Sequence, residues 1–153
     1  MLYSMQDELL VARPLAEVWS FFSDPGNLER ITPQDLGFRI TSAASSEIYP
    51  GQIITYTVTP LLGVPLEWVT EITHVVPEKL FVDEQRFGPY AFWHHLHRFT
   101  ARGDCTLVQD CVHYRLPFGL LGRVVHPLLV RPKLERIFSF RRQAVGEILS
   151  GPH

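Results

Sequence analysis

Between residues 37 and 116 the chain repeats one pattern six times, and that repetition limits what it can become. The stretches 37–44, 52–59, 65–76, 80–86, 91–102 and 106–116 are rich in β-branched and aromatic residues. Turn signals separate them: Pro50-Gly51, Leu62-Gly63-Val64-Pro65, Pro77-Glu78-Lys79, Gly88-Pro89-Tyr90 and Gly103-Asp104. This spacing predicts six strands joined by hairpins, since glycine, proline and aspartate supply the turns between strand-forming runs. The Gly103-Asp104 turn is short enough to set the register of the two strands it joins.

The flanks have a different period. Residues 3–12 read as a first strand that ends at Arg13-Pro14. Leu15, Val18, Trp19 and Phe22 then recur at helical spacing, so 14–23 is a short amphipathic helix. Asp24-Pro25-Gly26 breaks it, and 27–31 forms a second short helix. Helical spacing returns over 120–149, where Leu134, Ile137, Phe138, Val145, Ile148 and Leu149 make an apolar face. Arg136, Arg141, Arg142 and Glu147 mostly lie off that face, as a solvated side. Pro127 and Pro132 should bend or divide the helix early. The order predicts an α+β fold: a seven-stranded antiparallel sheet, curved by its own twist, wrapped around a long C-terminal helix with a cavity between them.

Length and composition set the remaining bounds. The 153 residues suit one domain, 1–153, and 46% apolar content suffices for a core. A net charge of −2 gives no field for nucleic acid, which also argues against a DNA-reading role for the two short helices. No run approaches the roughly 20 apolar residues of a membrane span, so stable membrane insertion is not expected. The N-terminus has acids where a secretory signal has a basic region, which points to a cytoplasmic protein. Cys105 and Cys111 fall along one strand, about 20 Å apart at 3.3 Å per residue, and are expected to be reduced thiols. A monomer and a homodimer both fit.

Several strings carry a family likeness. They are PLAEVWSFF from Pro14, NLERITP from Asn27, FVDEQ from Phe81 followed by Gly88-Pro89-Tyr90, WHHLHRF from Trp93, and LERIF from Leu134 with Arg141-Arg142. With the element order, they resemble the SRPBCC superfamily of START-like, polyketide cyclase/dehydrase-like helix-grip proteins, and its small bacterial ligand-binding members most. The resemblance covers nearly the whole chain. It implies a hydrophobic cavity between sheet and helix, and it implies little about activity, because members bind lipids, hormones or polyketides and only some catalyse.

Alternation across strands says what should face that cavity. Trp93, His95, His97 and Phe99 share a face that holds the bulky aromatics, so it is placed inward. Counting back from a two-residue Gly103-Asp104 turn pairs Phe99 with Val108, His97 with Asp110, His95 with Val112 and Trp93 with Tyr114. Phe81, Asp83 and Gln85 face inward on the preceding strand, Trp68 lines the sheet, and Leu134 and Phe138 close it from the helix. The expected lining is apolar with a polar stripe of Asp83, Gln85, His95, His97, Asp110 and Tyr114, a mixture that suits a small-molecule site.

Three functions follow. The preferred one is binding of a hydrophobic or amphipathic small molecule, such as a lipid, polyketide or aromatic compound, for transport or sequestration. The alternative is a cyclase or dehydratase with His97 and Asp110 as an acid–base pair and Tyr114 as an oxyanion donor. The third is an interaction module that docks through the apolar stretch 117–130, which is otherwise expected to cap the cavity. His95, His97 and Asp110 also match a two-histidine, one-carboxylate metal set. One His-x-His tripeptide is a weak signal, and hydrogen-bonded histidines with no metal or cofactor are the reading taken.

Overall fold

The computed structural model describes residues 1–42, 46–59 and 63–151. Strand β1 (Tyr3–Val11) leads into helix α1 (Leu15–Phe22) and two 3-10 turns, Pro25–Ile31 and Gln34–Leu36. Six strands follow: β2 (Arg39–Ile40), β3 (Gln52–Val58), β4 (Leu66–Val76), β5 (Leu80–Phe87), β6 (Phe92–Arg102) and β7 (Cys105–Arg115). The chain closes with α2 (Gly119–Val125), a π-helical turn (His126–Val130) and α3 (Arg131–Ser150). The seven strands form one antiparallel sheet in the order β1-β7-β6-β5-β4-β3-β2.

The local chemistry explains these elements. Along β7, buried Thr106, Val108, Asp110, Val112 and Tyr114 alternate with more accessible neighbours, so period 2 puts one face inside. Gly103 has φ 61° at the first of two turn positions, where a primed hairpin turn needs positive φ. β4 departs from regular pairing with β5 at Val69/Thr70 and Ile72/His74, and such irregularities bend and twist a long strand.

The strand expected over 37–44 shrinks to two residues. Gly37 is left-handed at φ 56°, and the N–H groups of Thr41 and Ser42 both turn onto the Thr55 carbonyl, so the ladder stops there. Ala43 and Ala44 lie outside the described residues. Of the two prolines expected to bend or divide the last helix, Pro127 has no N–H to donate and the helix widens into one π turn around it, while Pro132 sits in the first turn of α3.

Two apolar clusters fill the concave side. Trp19 of α1 packs edge-on to Phe81 and Phe99, at ring separations of 6.1 and 5.3 Å, with Val108 and Val145 nearby. Trp93, Val112 and Tyr114 pack with Leu134 and Phe138 of α3. Val18, Val108, Val112 and Val145 are all but inaccessible, and burying a side chain of this kind contributes about 1.5–3 kcal/mol. Arg142 pairs with Asp7 of β1, and Arg13 donates to the carbonyls of Leu149 and Gly151, which fastens α3 across the sheet. Among the described residues, no helix is long and apolar enough to cross a membrane.

Candidate functional site

Between the two apolar clusters lies a polar belt. The β6–β7 register sets Phe99 against Val108, His97 against Asp110, His95 against Val112 and Trp93 against Tyr114. The β5–β6 register adds Phe81 beside His97 and Asp83 beside His95. Two histidines and two carboxylates from three neighbouring strands therefore meet inside the sheet.

Their contacts form a closed group. His97 Nε2 is 2.6 Å from Asp83 Oδ2, and His95 Nε2 is 2.8 Å from Asp110 Oδ1. His97 Nδ1 also lies 2.8 Å from Asp110 Oδ1, and His95 Nδ1 lies 3.5 Å from Asp83 Oδ2. The imidazoles overlap at 3.7 Å between ring centres, and Phe81 stacks on His97 at 4.1 Å.

The protonation pattern follows from this packing. Burial favours a neutral Asp110, but the bonds from His95 and His97 outweigh it and hold the carboxyl well below its usual range. Asp83 is lowered too: burial again opposes, and His95 and His97 prevail. Burial pushes His97 toward neutrality, yet the carboxylates of Asp110 and Asp83 beside it win and its pKa rises. His95 is lowered, by burial first and then by the charge on His97. The packing thus favours the ionised form of both carboxyls and of His97, and disfavours charge on His95.

Asp83, His95 and His97 reach a cavity of about 790 Å³ between the sheet and α3. Its wall is mostly apolar: Trp68, Phe81 and Trp93 from the strands, Leu134 and Phe138 from α3, all named in the sequence reading. Ile54, Tyr56 and Val58 of β3 and Tyr90 of the β5–β6 turn line it too, and were missed. The alternation of Ile54, Tyr56 and Val58 along β3 is the signal that could have found the first three.

Five expected lining residues stand elsewhere. Gln85 turns aside: its Nε2 donates to the Tyr90 carbonyl at 2.7 Å, and its Oε1 accepts from Tyr90 N–H at 3.1 Å. Phe99 is covered by Trp19 and Phe22. Val112 is sealed in the core beneath α3, and Asp110 sits behind the two histidines. Tyr114 faces inward, but its hydroxyl is hydrogen-bonded with His126 Nε2 at 2.7 Å, on the side of α3 away from the cavity, among Tyr3, Met5 and Arg131. That position removes the proposed oxyanion donor from the site.

Arg141 is the opposite correction. Read as part of a solvated face, it lies three residues after Phe138 on the same side of α3, with its guanidinium 5.0 Å over that ring. Its side chain is 12% exposed, reaches to 3.8 Å from Asp110 Oδ1, and lines the cavity. Among the described residues, neither Arg141 Nε nor Trp68 Nε1 finds an acceptor. The stretch 117–130 covers the mouth with one face, through Leu121, Gly122, Val125 and Leu129. It is not the buried cap expected: Phe118, Leu120, Val124 and Leu128 are exposed, and so are Leu121 and Leu129 of the covering face.

Solved structures share this architecture. Truncated norcoclaurine synthase from Thalictrum flavum superimposes with a TM-score of 0.71 at 18% identity, covering 100% of this chain and 96% of that one. A protein from Thermus thermophilus gives 0.65 at 15%, covering 94% and 97%. A Mycobacterium smegmatis protein gives 0.64 at 17%, covering 92% and 88%. At such identities the likeness concerns the fold alone. No curated protein matches the chain in sequence. The family described as polyketide cyclase / dehydrase and lipid transport does match, over residues 11–140, and the chain, with its curved sheet closed over α3, belongs to that family.

Proposed function

We propose that residues 1–153 work as one domain that binds an amphipathic small molecule, with an apolar body in the cavity and an oxygen acceptor at its polar end. One observation carries this reading. Two residues of the wall, Trp68 and Arg141, carry buried donors, Nε1 and Nε, that find no acceptor among the described residues. An unpaired buried donor costs about 1–3 kcal/mol, so a ligand oxygen gains affinity by drawing either N–H out to the cavity surface through a small turn of its side chain. Lipids, polyketides and phenolic aromatics all combine an apolar body with such an oxygen. Transport or sequestration is the corresponding role.

Native mass spectrometry of the protein as purified from its producing cells, with displacement of an apolar fluorescent dye by fatty acids and polyketide-like phenols, tests the reading. One ligand equivalent and one-to-one displacement are expected. Failure of every such compound to displace dye, in protein that carries no ligand, would sink it.

A cyclase or dehydratase is the second reading. It is supported by His97, an imidazole in the cavity wall with Asp83 at 2.6 Å. Its pair is then His97 with Asp83 and Asp110, without Tyr114. The third, a docking role for the stretch 117–130, is supported by the exposed Phe118, Leu120 and Leu128.

A further inference from the structure

Asp83, His95 and His97 each offer one ligand atom to a common region, and those atoms lie within 4.8 Å of one another. The way each imidazole is turned adds a second, independent observation. The outer nitrogens, His95 Nε2 and His97 Nδ1, both lie 2.8 Å from one oxygen, Asp110 Oδ1. The inner nitrogens, His95 Nδ1 and His97 Nε2, both face Asp83 Oδ2, at 3.5 and 2.6 Å. A carboxylate behind an imidazole that faces a second anion is the arrangement that orients metal-ligating histidines.

Proton positions reinforce the point. With the Nε2–H of His95 donated to Asp110, Nδ1 carries a lone pair turned toward a carboxylate oxygen. Two acceptors that face each other at that distance repel, and a cation between them turns repulsion into attraction. His97 is 95% buried, and its Nδ1, though close to Asp110, has no hydrogen bond in line among the described residues. Metal–ligand bonds of about 2.0–2.2 Å set neighbouring ligand atoms roughly 3–3.5 Å apart. The His95–Asp83 spacing already fits, and the His97–Asp83 spacing must open by a few tenths of an ångström.

We propose that Asp83, His95 and His97 bind a first-row divalent metal ion, such as Zn²⁺ or Fe²⁺, with Asp110 holding both imidazoles from behind. The ion replaces the His97 Nε2 proton, which leaves to solvent. Two imidazoles and one carboxylate on one side leave coordination positions open, and all three ligands line the cavity. The ion offsets Asp83 and Asp110, and Arg141 adds one positive charge, so the open positions favour an anionic or carbonyl oxygen. The site goes beyond the ligand-binding reading and does not depend on it.

The test uses the full chain without a histidine tag, dialysed against Zn²⁺ or Co²⁺ alone. One tightly held equivalent is expected, with a visible Co²⁺ spectrum of nitrogen and oxygen ligation. Asp83→Asn, His95→Ala and His97→Ala should each weaken binding at least tenfold, and Asp110→Asn about 10–100-fold. His94→Ala and His113→Ala, on the other sheet face, should change nothing. X-ray absorption of the wild-type Zn²⁺ complex needs no variant and should find two imidazoles and no sulfur. No retained equivalent, fewer than two imidazoles, or binding that follows His94 or His113 instead, would overturn the proposal whatever the organic ligand proves to be.

Discussion

His97 Nε2 stands 2.6 Å from Asp83 Oδ2, on the strand opposite the one that supplies Asp110. Asp110 Oδ1 lies 2.8 Å from the Nδ1 of the same ring, so His97 faces a carboxylate from each flanking strand. Removing one partner of a buried ion pair costs about 3–5 kcal/mol, because the remaining charge loses its compensation. Asp110→Asn should therefore destabilise the fold by about that much, and Asp83→Asn by less, since Asp83 is partly accessible. Urea denaturation at neutral pH measures both, and equal, near-zero losses would count against the charged belt.

The same belt sets the acid limb of stability. Asp83 and Asp110 have folded pKa values below their unfolded ones. Their stabilisation is present above about pH 4 and is lost as pH falls through the folded values. His97 runs the other way: raised in the fold, it stabilises below about pH 6.5, and that part is lost as pH rises through its folded pKa. Wild type should lose stability steeply below pH 4, and Asp110→Asn should show a shallower limb in the same titration.

Tyr114 is expected to serve the fold rather than the cavity. Its hydroxyl shares a hydrogen bond with His126, whose ring stacks on Tyr3 at 3.6 Å. Tyr114→Phe should cost about 1 kcal/mol, one hydrogen bond, and leave ligand affinity unchanged. His126 is lowered by burial and then by Arg131, so it stays neutral in the fold while the unfolded chain binds a proton below about pH 6.5. Stability should fall on that account as pH drops through 6.5. His126→Gln, which keeps an acceptor near Tyr114, should remove this part of the pH dependence, read as a difference between the two stability curves.

What was legible in the chain, and what was not, has a physical boundary. The β6–β7 pairing could be counted because a two-residue turn leaves one register, and His97 opposite Asp110 follows from it. Asp83 could not be assigned its distances that way, since the β5–β6 connection is longer and β4 carries two irregularities. Alternation marks Tyr114 as inward but says nothing of α3, which covers it, or of the π turn that brings His126 to its hydroxyl. Arg141 sits at helical spacing from Phe138, and its charge hid it: a guanidinium stacked on an aromatic ring can stay inside.

Trp68 separates a polar-ended ligand from a plain hydrocarbon. Its ring sits among Tyr56, Tyr90 and Trp93, and its Nε1 lacks a partner among the described residues. Trp68→Phe keeps most of the aromatic wall and removes the donor. Affinity for an oxygen-bearing ligand should fall about tenfold, the worth of one hydrogen bond, while a hydrocarbon of similar shape binds as before. Calorimetric titration of the two ligand types against both proteins checks it; an equal loss for both would assign Trp68 a purely steric role.

Gln85 provides the last test, because it shapes the site without touching it. Its amide makes both hydrogen bonds to the Tyr90 backbone, and Tyr90 lines the cavity between Trp68 and Trp93. Gly88 passes directly over that amide: a Cβ there would stand 2.6 Å from Gln85 Oε1. Gly88→Ala should thus act like Gln85→Leu, by displacing or deleting the clamp. Each should cost about 1–2 kcal/mol of stability and release Tyr90. The double variant should lose little more than either single one, since both break the same contact. Chemical denaturation of the four proteins gives this cycle directly, and additive losses would mean that Gly88 and the Gln85 amide support the turn independently.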